Sequence, residues 1–102
     1  MISRYWRGWT TLANADAYEQ LLRTEVLPGF HRIKGYKGAY LLRRDLEHEV
    51  EFATITFFDT MDDVRDFAGE RYETAVVPPA ARKLLSHFDE TSLHYDTLLK
   101  PA

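Results

Sequence analysis

Residues 49–59, EVEFATITFFD, decide the fold. In an extended chain alternate side chains point to opposite faces. One face here receives Val50, Phe52, Thr54, Thr56 and Phe58; the other, after Glu51, receives Ala53, Ile55 and Phe57. An antiparallel strand with one wet face alternates apolar with charged residues. This one does not, so both faces of its sheet must be covered. Helices can cover one face, and a chain of 102 residues is too short to build a second layer over the other. A second copy of the same chain is the simplest cover.

Working outward, the apolar spacing predicts strands and helices in turn. Residues 2–10 are aromatic and β-branched and read as a strand, with Trp6 and Trp9 on opposite faces. A helix capped by Thr11 or Asn14 follows, its apolar stripe set by Ala17, Tyr18, Leu21 and Leu22. Pro28-Gly29 is expected to end it, and residues 30–34 to be a loop. Residues 35–45, GYKGAYLLRRD, form a second strand, hairpinned to 49–59 through the turn 46–48. Thr60 caps the next helix, with Asp63 closing a capping box and Met61, Val64, Phe67 and Ala68 at helical spacing. Gly69 bends or interrupts that helix, residues 70–77 continue it loosely, and Pro78-Pro79 breaks it. Residues 80–85 make a short helical turn and 89–99 a last strand.

The order is β-α-β-β-α-β. Two halves of this kind make a four-stranded antiparallel sheet with both helices on one face, a ferredoxin-like α+β sandwich in a single domain spanning residues 1–102. Its other face is a large apolar patch that monomers rarely tolerate, so a homodimer is expected.

The 45% apolar and 28% charged content is that of a folded globular chain. A net charge of −3 offers no footprint for nucleic acid or for an anionic membrane. No segment has the length and apolarity of a signal peptide or a membrane span, so a cytoplasmic protein is expected. With no cysteine there is no thiolate metal site and no cysteine nucleophile.

A helix ending in LPGF, the glycine-flanked strand GYKGAYLLRRD and the run ITFFDTMDDVRDF from strand into helix resemble the antibiotic biosynthesis monooxygenase family, within the dimeric α/β-barrel superfamily. The resemblance implies two sheets packed into a barrel and a pocket in each subunit between sheet and helices. It also implies cofactor-free oxygenation of an aromatic or quinol substrate, heme degradation, or, as in many members, no known activity. Many members carry tryptophan where this chain has Phe58 before Asp59-Thr60. The heme-degrading branch needs a histidine on the second helix and an asparagine on the first strand. No histidine lies between His48 and His87, and the first strand has Arg7-Gly8 without asparagine. Heme degradation of that kind is therefore not expected, and neither is a cofactor.

Of the four histidines, His48 reads as a solvated turn residue. His87 and His94 stand seven apart, so an unbroken strand would point them to opposite faces and give no shared metal site. His94 shares a face with Ser92 and Asp96 on a strand covered on both sides. It is either a structural hydrogen-bonding group or the base that takes a proton from a phenol or quinol. Tyr72 and Arg82 are the candidate orienters of such a substrate, Arg82 by stabilising a developing phenolate. Trp6, Trp9, His31, Phe58 and Phe67 are the candidate substrate-binding residues, with ordinary core or interface packing as the alternative for each aromatic. No dinucleotide fingerprint, P-loop, HExxH or GxSxG occurs. Two readings result: a dimeric cofactor-free monooxygenase-like enzyme, or a non-catalytic small-molecule-binding or accessory module on the same fold.

Overall fold

A computed structural model describes residues 1–101. The elements are β1 (Ile2–Thr11), α1 (Ala15–Leu21), a π-helical turn (Leu22–Val26), α2 (Leu27–Gly29) and a 3-10 turn (Phe30–Arg32). The hairpin β2 (Tyr36–Asp45) and β3 (Glu49–Phe58) follows, then α3 (Met61–Ala68), α4 (Pro79–Arg82), β4 (Leu85–Phe88) and β5 (Leu93–Asp96). The sheet runs β2-β3-β1-β4, with β5 also on β1, and every pairing is antiparallel. This is the ferredoxin-like α+β order, with the helices on one face.

Parity follows the reading of residues 49–59. Val50, Phe52, Thr56 and Phe58 are buried beneath the helices. From β1 the same face takes Ile2, Arg4, Trp6, Gly8 and Thr10, whose register sets them beside Phe58, Thr56, Thr54, Phe52 and Val50. Two apolar clusters form there. Ala15, Tyr18 and Leu22 pack on Val50, Phe52 and Ala81, whereas Val64 of α3 packs on Ile2 and Phe58. Burying a ring such as Phe52 is worth about 2–3 kcal/mol.

Gly8 is fixed by close approach. A Cβ there would lie 2.7 Å from the Trp6 indole and 2.9 Å from the Leu85 side chain, so the bare backbone lets the indole lie along its own strand.

Four expectations need correction. The first α-helical stretch ends at Gly29 as expected, but residues 30–32, expected to be loop, form a 3-10 turn. In the π-helical turn the Leu27 N–H bonds the Leu22 carbonyl five residues back, and Pro28 opens a new short segment where its missing N–H is tolerated. The buried stripe is Ala15 and Tyr18 of α1 with Leu22 of the π-helical turn, and Ala17 is exposed.

The second helix stops at Ala68, because Gly69 takes φ +89° and leaves the helix; residues 70–77 are not helical. Finally, the last strand is two pieces, and it begins before residue 89. Between the pieces the backbone changes partner: Ala75 donates to the Glu90 carbonyl at 2.9 Å and Ser92 donates to the Glu73 carbonyl at 2.6 Å. The Thr74–Thr91 bridge completes this side pairing with the irregular segment 69–78.

Candidate functional site

Between the two apolar clusters the helical face of the sheet leaves a cavity of about 60 Å³. Trp6, Tyr18, Phe30 and Phe67 supply aromatic walls, and Val76, Val77 and Pro78 of the irregular segment close it. The polar lining is Arg4, Thr54, Thr56 and Ser92. The Trp6 indole is held by donating from Nε1 to the Asp89 carbonyl at 2.6 Å.

Arg4 is the unusual residue. It is buried, yet forms no salt bridge among the described residues. Its Nη1 donates to the Tyr72 carbonyl at 2.6 Å and to His94 Nε2 at 2.9 Å, and Nη2 donates to the Thr74 carbonyl at 3.2 Å. Its guanidinium carbon lies 5.6 Å from the centre of the Phe67 ring. All of these partners are neutral. Burial lowers the guanidinium pKa to about 10, which leaves the group charged at neutral pH. Buried charges are ordinarily paired. Ser92 adds a second unusual group: its hydroxyl is buried, lines the cavity and has no hydrogen-bond partner among the described residues.

His94 stands behind Arg4 rather than in the lining. Because its Nε2 accepts from Arg4, the ring proton belongs on Nδ1. Burial, followed by the Arg4 charge, pushes its pKa below 6.5, while Glu73 pulls the other way; the imidazole is neutral at pH 7. Tyr72 meets His94 edge to face at 5.2 Å and gives its carbonyl to Arg4.

Four of the expected site residues thus converge here: Trp6 and Phe67 in the lining, and His94 and Tyr72 through Arg4. Others do not. Arg82 is exposed, with its guanidinium 5.5 Å from the Phe88 ring. Trp9 lies on the opposite face of the sheet, stacked on His87 at 4.5 Å. His31 lines an open groove beside α2, against Tyr36, and Phe58 is fully buried in the second cluster. Sequence reasoning passed over Arg4. The available signal was its parity: a charge on the face shared by Ile2, Trp6 and Gly8.

No protein-family model matches this chain, and no curated protein does. Among solved structures it is similar to the heme-degrader MhuD from Mycobacterium tuberculosis, solved with two hemes bound in its active site. The two share 14% of residues at a TM-score of 0.63, over 100% of each chain. The chain therefore has the ferredoxin-like fold of the antibiotic biosynthesis monooxygenase type. At this identity the likeness establishes the fold alone.

The residues here do not fit a heme. Helix α3 carries no histidine, and the cavity lining offers no histidine, cysteine or methionine to ligate iron. Tyr18 is the one remaining candidate, and burial raises its phenol well above the usual range, so it stays protonated. Among the described residues no cluster of three or more His, Asp or Glu side chains is placed to hold a metal. No helix among them is long and apolar enough to cross a membrane.

Proposed function

We propose that this chain binds a small, flat aromatic molecule between its sheet and its helices, acting as a homodimer joined through the open sheet face. The observation that carries this reading is the cavity itself: four aromatic walls with a few buried polar groups, the usual make-up of a small-molecule site. At about 60 Å³ it is smaller than an engineered apolar cavity of roughly 150 Å³ that takes benzene. Entry of a ring therefore requires the lining to open, and the Val76–Pro78 side is the part that belongs to no helix or strand before Pro79.

Trp6 reports on occupancy directly. In a Trp9→Phe background, phenols and hydroquinones are expected to quench Trp6 fluorescence with saturation at or below millimolar concentration. Linear, unsaturable quenching across the whole set removes the reading.

Cofactor-free oxygenation is the second reading, favoured by a neutral His94 beside the cavity's cation. In such chemistry a base removes the substrate's proton, and the resulting anion supplies the electrons that reduce oxygen. His94 can serve as that base once Arg4 releases its Nε2, with Tyr72 bordering the site. Oxygen uptake with each quinol that binds separates this reading from simple binding.

A further inference from the structure

We propose that Arg4 and Ser92 form an anchor for an anionic oxygen, and hence that the cavity takes aromatic anions, phenolates or aryl carboxylates, in preference to neutral rings. The proposal rests on the aromatic-binding reading above and specifies its ligand class. Two independent features point the same way. Arg4 is a buried cation whose partners are two backbone carbonyls and a neutral imidazole. A guanidinium has five N–H donors in a planar fork, and it binds anionic oxygens much more strongly than neutral ones. Ser92 is a buried hydroxyl in the same lining with no partner among the described residues, so its O–H is available to a ligand acceptor. Register places the two on one side of the sheet: Arg4 pairs with His94, two residues beyond Ser92 on the neighbouring chain segment.

The surroundings fit an anion. Among the described residues no carboxylate lines the cavity, so none of them neutralises Arg4 or repels a negative ligand there. Glu73 is the acid that acts on His94, and its influence is the weakest of those on that ring. The apolar walls exclude water, which strengthens the charge-to-charge attraction over its value in solvent. For a phenol the consequence is a shift in its own ionisation: the cation favours the phenolate, and the released proton passes to solvent.

The test uses the full chain and three probes. 4-Nitrophenol changes its absorbance on ionisation, benzoate is the carboxylate counterpart, and nitrobenzene is the neutral ring of similar shape. The expected result is that 4-nitrophenolate or benzoate binds at least about tenfold more tightly than nitrobenzene. Bound 4-nitrophenol should also ionise about one pH unit lower than free. Arg4→Met should abolish the preference while nitrobenzene still binds. Ser92→Ala should weaken the anions several-fold and leave nitrobenzene unchanged. Should Arg4→Met fail to fold, the wild-type preference and the Ser92→Ala comparison still decide. Equal binding of neutral and anionic probes, with an unshifted ionisation, overturns the anchor and leaves the aromatic site standing. Failure of all three probes to bind overturns both.

Discussion

His94 links the site to folding stability through its proton. Its folded-state pKa is held below the 6.5 of a free imidazole, first by burial and then by Arg4. Above pH 6.5 both the folded and the unfolded chain carry a neutral ring, so the group contributes no pH dependence there. Below it the unfolded chain takes up a proton that the folded one resists, and stability falls until the folded pKa is passed. The denaturation midpoint in urea should therefore drop between pH 7.5 and 5.5, and His94→Gln should reduce that drop. An equal drop in the variant would assign the pH dependence to other groups. The same pair of residues shows what parity can and cannot reveal. That His94 shares a face with Ser92 and Asp96 follows from their spacing along an extended chain. That its partner is Arg4 depends on the β1–β5 register, which pairs residues 90 positions apart.

At the scale of elements, α3 is the segment whose ends the local chemistry specifies most fully. The Thr60 hydroxyl accepts from the Asp63 N–H at 3.1 Å and donates to the Asp63 carboxylate at 3.0 Å, tying the first turn from both sides. Thr60→Ala should cost about 1 kcal/mol and Thr60→Ser far less, read from equilibrium urea unfolding. A null effect of Thr60→Ala would show that packing of Val64 and Phe67 alone holds the helix start. Such caps are legible because every participant lies within four residues. The fourth strand is the opposite case. Its two pieces lie at 85–88 and 93–96, and between them the backbone turns aside to pair with 73–75, a distant segment with no regular structure of its own. The continuation past Pro28 is similar: the π-helical turn that makes it possible leaves no mark in local propensity.

For the whole molecule, the face away from the helices presents Tyr5, Tyr40, Leu42, Ile55, Phe57 and Tyr95. Tyr40, Leu42 and Tyr95 are exposed, and beyond β5 Leu98 and Leu99 are 89% and 94% exposed. A patch of this kind favours association with an equally apolar surface, and a second copy offers one. At micromolar concentration the chain should sediment at twice its monomer mass. Phe57→Glu, which sets like charges in that face, should shift it to monomer with the secondary structure kept. A monomeric wild type would remove the dimer, and with it the idea that both strand faces need cover.

What the sequence determined by itself is the order of elements, the two apolar faces of the sheet and the cap of α3. Each follows from side-chain periodicity or from contacts between near neighbours in the chain. What only the tertiary structure decided is the site. Arg4, Trp6, Tyr18, Phe67 and Ser92 come from four separate stretches, and their shared cavity depends on register and helix placement. The buried cation was visible as an arginine on the inward face of a strand. That it has no carboxylate partner among the described residues depends on everything packed around it, and periodicity carries no information about that.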